Sequence, residues 1–279
     1  MTITTRDGLI NALGNNSSRI IIDKAQISNT AAGQWHSMFR ATGQPGQGAI
    51  PGAAASCNNS LLGAMGFNQQ VAPATSYLAQ LESTMGNATQ TLEIHDRLAH
   101  MGGLNGTLTT AQTAGVDLNA LLATDNIAAR IGDANFSDVQ WWAEWYTDTG
   151  VTGVNMTVSV VFNDGSTASL TAVALAATRR ASFMQPLNGL IPAANSGKFI
   201  RKVDTVTLSA TTGTAGSFGI TATRYRGAVF CPIANARYKE PWDSLGLPEI
   251  PNSACLFPVV LCSTTNTGIV RGTGKIIHG

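Results

Sequence analysis

The chain has 279 residues, of which 12% are charged, about half the share of an ordinary globular protein. The formal net charge is +1 and no basic run occurs, so the composition speaks against binding nucleic acid through its phosphates. No stretch approaches the roughly 20 apolar residues that cross a bilayer, and the first residues lack a signal-peptide core. We therefore expect folding in a cytoplasm, no membrane partner, and a neutral surface suited to packing against neighbouring subunits.

The first 90 residues predict an irregular arm that carries short helices. Leu9, Ile10 and Leu13 share a helical face, which predicts a helix over residues 5–13. Helical spacing also predicts helices over residues 34–40 and 77–85. Residues 19–23 fit either a short buried strand or the continuation of a helix.

Between these segments lies GQPGQGAIPGAAAS, residues 43–56, where glycine and proline exclude a regular element. We expect an extended loop or arm here. Large apolar residues flank it and need cover, which could come from another subunit. They are Trp35, Phe39, Leu61, Leu62, Met65 and Phe67.

The second half alternates apolar and polar residues, as half-buried strands do. Residues 141–146 predict an aromatic strand, and residues 155–162 and 168–174 predict a hairpin around Asn163-Asp164-Gly165. Two further pairs are predicted, 203–210 with 218–222, and 257–262 with 269–277 around Asn266-Thr267-Gly268. The predicted fold class is mainly β, an antiparallel jelly-roll-like β-sandwich over residues 91–279, after an arm over residues 1–90. The boundary is soft between residues 90 and 126.

The stretch HDRLAH, residues 95–100, is the first candidate for chemistry. In a helix, Asp96 and His100 would lie one turn apart; in a strand, Asp96 would lie among apolar neighbours and need Arg97 or a backbone amide as partner. Two ligands do not make a zinc site, and His36 and His278 lie in unrelated contexts. We therefore interpret the cluster as scaffold.

Other candidate motifs are weaker still. Gly272-Thr273-Gly274-Lys275 lacks the leading glycine and the following helix of a phosphate loop. The four cysteines contain no CxxC pair, and we expect reduced, mostly buried thiols at Cys57, Cys231, Cys255 and Cys262.

The aromatic segment leaves two interpretations open. Its four aromatic side chains could form a sugar-stacking platform beside acidic residues, with Glu144 and Asp148 as a glycosidase-like pair, but core and interface packing is favoured. These side chains are Trp141, Trp142, Trp145 and Tyr146, and Asp133 and Asp138 are the other nearby acids. We predict no catalytic, cofactor-binding or metal-binding residues.

Residues 92–113 resemble a family of tailed-bacteriophage virion structural proteins that carries the pattern L-x-x-x-DRL-x-H-x-GGL-x-GT-x-TTAQT. The likeness extends to PGQGAIPGAAASCN, WWAEWYTDTG and SACLFPVVLCSTTNTGIVRGTGKI, and so covers most of the chain. The resemblance implies a non-enzymatic virion component assembled in the host cytoplasm. A decoration or cement subunit on the major capsid protein is the first expectation, and a neck or tail adaptor or a fibre component is the alternative. A homo-oligomer is expected, with a trimer plausible by analogy.

Overall fold

The computed structural model describes residues 3–25, 30–125, 127–175, 177–263, 265 and 268–279. These residues form mainly antiparallel β structure with a few short helices. The helices are α1 (Arg6–Asn15), α2 (Leu118–Leu121), α3 (Ile127–Ile131) and α4 (Trp242–Leu245), with 3-10 turns at Asn188–Leu190 and Ala193–Asn195. The strands are β1 (Ser17–Lys24), β2 (Gln34–Ser37), β3 (Gly43–Gln44), β4 (Ala55–Ser56), β5 (Ser76–Met85), β6 (Gln90–Asn105), β7 (Gln112–Asp117), β8 (Val139–Trp145), β9 (Val154–Phe162), β10 (Thr167–Leu175), β11 (Phe183–Pro186), β12 (Ile200–Leu208), β13 (Ser217–Cys231), β14 (Arg237–Glu240), β15 (Leu256–Cys262) and β16 (Val270–His278). None of the helices in these residues is long and apolar enough to cross a membrane.

The chain divides into two compact units, each built from segments that are separated in sequence. The terminal unit contains Met1–Gly48, Asn58–Asp96 and Tyr225–Gly279, and the central unit contains Ala49–Cys57 and Arg97–Arg224. Strands β6 and β13 each begin in one unit and end in the other. The division into an arm over residues 1–90 and a β-sandwich domain over residues 91–279 stays a prediction.

The terminal unit is built on a five-stranded sheet in the order β14-β5-β16-β1-β3. In the same unit, β15 pairs with β2 on one side and with the first half of β6 on the other. Side chains from both sets of strands form one apolar core, as in a β-sandwich. Its members include Ile20, Ile22, Leu78, Leu81, Leu92, Ile94, Leu256, Val260 and Ile276.

The central unit has a four-stranded sheet in the order β10-β9-β12-β7, while β8 pairs with β11 and β13. A second apolar core joins these strands, and it includes Trp141, Trp145, Met156, Val158, Leu170, Val203, Val206, Phe218 and Ile220. The prediction of a mainly β, antiparallel sandwich is confirmed.

The predicted N-terminal helix is confirmed as α1. Its first turn is capped by Thr5, whose hydroxyl accepts a hydrogen bond of 3.0 Å from the Gly8 amide. Residues 19–23 belong to β1, where every second side chain from Ser18 to Lys24 is buried. That segment is therefore a strand, the first of the two structures its sequence allowed.

The helix predicted over residues 77–85 is wrong, because these residues form β5. Lys275 lies opposite Gln80 and Ile276 opposite Leu78, so Ala79 is an extra residue in the ladder, a β-bulge. The bulge puts Leu78 and Leu81 on the same face although they are three residues apart, and it thereby imitates helical spacing.

The helix predicted over residues 34–40 is also wrong. Gln34–Ser37 is β2, which pairs with β15, and the Met38 amide then donates to the Pro258 carbonyl at 2.9 Å. Pairing with a strand more than 200 positions away determines the secondary structure of this segment, and local spacing cannot reveal that pairing.

The hairpin around Asn163-Asp164-Gly165 is confirmed, since β9 and β10 pair antiparallel. Alternation predicts that Ala168, Leu170, Ala172 and Ala174 form the apolar side of β10, which is wrong at Ala174; the side chain of Ala172 lies outside the described part of the structure. A register shift between Leu170 and Val173 turns Val173 and Leu175 inward and leaves Ala174 exposed.

The two other predicted strand pairs do not form. Strand β12 lies between β9 and β7, whereas β13 pairs with β8. Strand β15 lies between β2 and β6, whereas β16 lies between β5 and β1. Asn266 and Thr267, the centre of the last predicted turn, lie outside the described residues.

The glycine- and proline-rich segment contains only the two-residue strands β3 and β4, as its composition led us to expect. Part of it covers Phe39 within the same chain. The Gly48 amide donates to the Phe39 carbonyl at 3.0 Å, and a Cβ at Gly48 would lie 2.3 Å from the Phe39 ring. Phe39 is 1% exposed, so it needs no second subunit for cover, whereas Leu62 remains 72% exposed.

Gly219 tests how tightly the strands of the central unit pack. A Cβ on Gly219 would lie 1.7 Å from the Met101 carbonyl oxygen, so Gly219→Ala must push two backbones apart. We expect a loss of about 3 kcal/mol in the free energy of unfolding, measured by urea titration.

Gly189→Ala is the matched control, because a Cβ there meets no atom within 4 Å. Its stability should stay within about 0.5 kcal/mol of the parent chain. Equal unfolding midpoints for the two variants would contradict the packing described for Gly219.

Candidate functional site: a buried arginine network

The HDRLAH cluster lies in the middle of β6, so the strand geometry applies and the helical geometry does not. His95, Asp96 and Arg97 are each 0% exposed, and His100 is 7% exposed. A charged side chain without contact with water needs a full set of partners. The structure supplies hydrogen-bond and ion-pair partners from distant parts of the chain.

Arg97 is the centre of a network within the central unit. Its Nη2 donates to Glu144 Oε2 at 2.6 Å, to the Tyr146 hydroxyl at 3.1 Å and to Thr221 Oγ1 at 3.1 Å. Its Nε donates to His100 Nδ1 at 2.9 Å. One guanidinium therefore connects β6 to β8, to the residue just after β8, and to β13.

Glu144 is held just as firmly. Thr221 donates its hydroxyl hydrogen to Glu144 Oε2 at 2.5 Å, and the Tyr146 hydroxyl approaches the same oxygen at 3.4 Å. With the Arg97 bond, a single carboxylate oxygen accepts three hydrogen bonds, and the Glu144 side chain is 2% exposed. The pair is charge-assisted and is hydrogen-bonded to neighbouring side chains, as a stable buried ion pair requires.

The protonation states follow from this packing. Burial alone would lower the pKa of Arg97, but the charge and hydrogen bond of Glu144 raise it. Burial and the Glu144 charge raise the pKa of Tyr146. Burial, together with the adjacent Arg97 charge, lowers the pKa of His100 to about 3, so this imidazole is neutral at physiological pH.

Arg130 of α3 is a second fully buried arginine of the central unit. Its Nη1 donates to the Cys57 carbonyl at 2.6 Å and to Asp125 at 2.8 Å, and its Nη2 donates to the Arg97 carbonyl at 2.9 Å. It thus fastens the end of the glycine-rich segment to β6, where the Cys57 amide also donates to the Leu98 carbonyl.

In the terminal unit, Asp96 has partners of its own. The Cys255 amide donates to Oδ1 at 2.9 Å, and Arg226 approaches Oδ2 at 3.3 Å. The expectation of a backbone amide as partner is therefore confirmed, whereas the ion-pair partner is Arg226 and Arg97 pairs with Glu144 instead.

The sequence interpretation missed Arg130, Arg226 and Thr221. None of them stands in a recognisable motif, and Thr221 and Arg226 lie more than 120 positions from their β6 partners. The only available signal was the general need of buried charges for counterparts, which names no residue.

Each of the four histidines has different neighbours. His95 pairs with Glu93 at 2.8 Å, and His278 lies between Ser18 at 2.7 Å and Ser76 at 2.9 Å. His36 is buried in β2, which lowers its pKa to about 4. Within residues 3–25, 30–125, 127–175, 177–263, 265 and 268–279, no three histidine, cysteine or acidic residues are grouped as metal ligands would be.

The aromatic strand is core. Trp141 and Trp145 are 0% exposed, and Trp142 and Tyr146 are 3% exposed, so no ring can stack on a sugar from solvent. Trp145 instead stacks on Phe218 at 5.6 Å.

The two carboxylates of the candidate glycosidase-like pair, Glu144 and Asp148, have different partners and different exposure. Glu144 is bound inside by Arg97, whereas Asp148 pairs with exposed Arg180 at 2.6 Å. A glycosidase needs both carboxyls to reach one substrate, which a 1% exposed Glu144 cannot do.

The remaining motifs are structural too. Gly272-Thr273-Gly274-Lys275 lies within β16 and precedes no helix. The four cysteines all lie in the described part of the chain, where they are buried and form no disulfide bond, in line with the expected reduced, mostly buried thiols.

No protein-family model matches the sequence, and no curated protein matches it. The solved structures that match include structures of infectious bursal disease virus. The Gt strain structure is 10% identical with a TM-score of 0.22, and it covers 95% of this chain and 81% of that chain. The VP2 subviral particle is 10% identical with a TM-score of 0.19, covering 94% and 80%. TM-scores this low support no conclusion about fold or function.

The pKa of His100 makes stability depend on pH. The folded chain keeps this imidazole neutral down to a pKa of about 3, whereas an ordinary histidine has a value of 6.5. The unfolded chain therefore binds the extra proton first. The contribution of His100 to stability is complete above pH 6.5 and is lost as pH falls toward 3.

His100→Gln removes this titration while keeping an acceptor for Arg97. We expect the unfolding free energy of the parent chain to fall more steeply than that of the variant between pH 6 and pH 4, by about 1.4 kcal/mol per pH unit. Urea unfolding at several pH values measures both slopes. Parallel curves would show that His100 is protonated in the folded chain, contrary to this description.

Proposed function

We propose that this chain is a non-enzymatic structural protein of a tailed-phage virion, most specifically a decoration or cement subunit bound to the lattice of the major capsid protein. The first support is the resemblance of residues 92–113, together with the arm, the aromatic strand and the closing segment, to such proteins. The proposal includes homo-oligomerisation, for which a trimer is one arrangement by analogy, and assembly in the cytoplasm of the bacterial host.

The observation that carries the proposal is that the polar residues of the shared pattern are engaged inside the fold. Asp96, Arg97 and His100 have buried partners, as described above. Gln112 exchanges two hydrogen bonds with the Asn105 backbone, at 2.7 and 3.0 Å, and so fixes the turn from β6 to β7. A motif used in this way supports a protein whose work is done by its shape and surface.

Gly102 of the same pattern also serves packing. A Cβ there would lie 2.7 Å from the Pro51 carbonyl oxygen and 2.9 Å from the Tyr146 ring. The glycine lets the glycine-rich segment lie directly on β6. Both the arm and the β6 pattern resemble the family. This contact is one physical reason for that, because each segment needs the other in place.

The solvent face of the four-stranded sheet in the central unit is rich in hydroxyl groups. The sheet also carries charges: Lys202 is the strand partner of Asp117 and pairs with Asp204 at 2.6 Å. Ser169, Ser159, Thr205 and Thr113 lie opposite one another in one row across β10, β9, β12 and β7. Thr157 and Thr207 are partners in the next row. A face of this kind can be repeated over many copies without electrostatic repulsion, and weak contacts then sum over the lattice.

Copy number in purified virions tests the proposal. A decoration subunit should be present in a ratio to the major capsid protein close to a simple lattice fraction, which means hundreds of copies per particle. Quantitative mass spectrometry with the major capsid protein as internal standard measures the ratio, and cryo-electron microscopy should place the chain on the outer shell.

A dozen copies or fewer would overturn the decoration role in favour of a neck, tail or fibre position. Absence from the particle would overturn the virion role altogether.

A further inference from the structure

The terminal unit has a charged, concave surface that the structural network does not use. We call it the basic face: the solvent side of the sheet β14-β5-β16-β1. Its outward side chains include Arg19, Ile21, Asp23, Glu82, Thr84, Arg237, Lys239, Arg271, Thr273 and Lys275. A groove of about 520 Å³ lies on this face and is open to solvent.

Strand register arranges these side chains in rows. Arg237, Thr84, Arg271 and Asp23 follow one another across β14, β5, β16 and β1. Lys239, Glu82, Thr273 and Ile21 form the next row, and Gln80, Lys275 and Arg19 the third. Neighbouring strands are about 4.8 Å apart. The basic groups are therefore separated by distances that one extended peptide can span with its backbone and side chains.

The two acidic groups of the face are already engaged. Glu82 accepts hydrogen bonds from Arg237 Nε at 3.0 Å, Gln80 at 2.6 Å and Thr273 at 3.4 Å. Asp23 accepts from Arg271 at 3.1 Å. Arg19 makes no ion pair within the part of the chain that the structure describes, and its side chain is exposed.

The balance of charge differs from that of the rest of the chain. The face carries five basic and two acidic residues, while the whole chain has 17 basic and 16 acidic residues. Outside the face, acidic residues are therefore in excess. The face thus has an excess of three positive charges, whereas the rest of the chain has an excess of two negative charges.

An apolar group lies among the charges. Ile21 is 56% exposed and lines the groove between Arg19 and Asp23 on β1. An exposed isoleucine surrounded by arginine side chains fits a protein ligand, which brings both carboxylates and apolar groups. A phosphate backbone would leave Ile21 without a contact, whereas a peptide can place an apolar side chain on it.

We infer that the basic face binds an extended, acidic segment of a partner protein, with carboxylates on Arg19 and Arg271 and an apolar side chain on Ile21. Arginine suits this task because its planar guanidinium can bind a carboxylate through two hydrogen bonds. The inference goes beyond the proposed particle role and does not depend on it, since any acidic protein partner would be recognised in the same way.

The test uses the full chain and three fluorescent probes. The first is an octapeptide of alternating glutamate and threonine with one central leucine, the second is the same peptide with lysine in place of glutamate, and the third is a short single-stranded DNA. Fluorescence anisotropy at low salt measures binding. We expect binding of the acidic peptide alone.

Arg19→Glu should weaken binding of the acidic peptide about tenfold or more, because it places a like charge against the ligand. Ile21→Ser should weaken binding of the same peptide by a smaller factor. Arg6→Glu is the matched control, since Arg6 is exposed in α1, does not line the groove, and undergoes the same change of charge. It should bind as the parent chain does.

Three results would overturn the inference. The acidic peptide could fail to bind, Arg19→Glu and Arg6→Glu could weaken binding equally, or the DNA could bind as tightly as the peptide and lose affinity with Arg19→Glu. The last result would assign the face to nucleic acid. None of them bears on copy number in the virion.

Discussion

The buried ion pair of Arg97 and Glu144 is the interaction on which the central unit depends. Removing two charges from water costs several kcal/mol for each ion, and hydrogen bonds to neighbouring groups are needed to offset that cost. Thr221, Tyr146 and His100 supply such bonds. Because the partners come from β6, β8 and β13, a shift of any of these strands would leave a buried charge unmatched. The network therefore constrains the strand register as well as the identity of its residues, and no chemistry is needed to explain it.

The fold could be predicted from the sequence where alternation was regular. Strand β9 alternates from Val154 to Val160, and its local pattern agrees with its burial over these residues. In β5 and β10 one irregularity of the ladder displaces the alternation, so that Leu78 and Leu81 resemble a helix and the inner face of β10 changes side. Strand partners were predicted correctly only across the tight turn at residues 163–165. The other pairings join distant segments, which turn chemistry does not record.

The candidate site was predictable in kind and not in detail. A strand geometry for HDRLAH requires a partner for Asp96, and the Cys255 amide fulfils that requirement. Arg226 and Glu144 could not be named, since any of many charged residues could have filled those places. The prediction for the surface was based on the overall charge of the chain. Low overall charge indicated a neutral exterior, which the hydroxyl rows of the central unit match, yet a near-zero net charge concealed the excess of basic groups around Arg19.

A double-mutant cycle of unfolding free energies, with Arg97→Met, Glu144→Gln and the double variant, tests the central claim most directly. Each single substitution leaves one buried charge without its counterpart, so each should cost about 3–5 kcal/mol. The double variant should lose at least about 2 kcal/mol less than the sum of the two. Single variants as stable as the parent chain, or more stable, would contradict the account, because that behaviour is expected of charges kept for chemistry at the expense of folding.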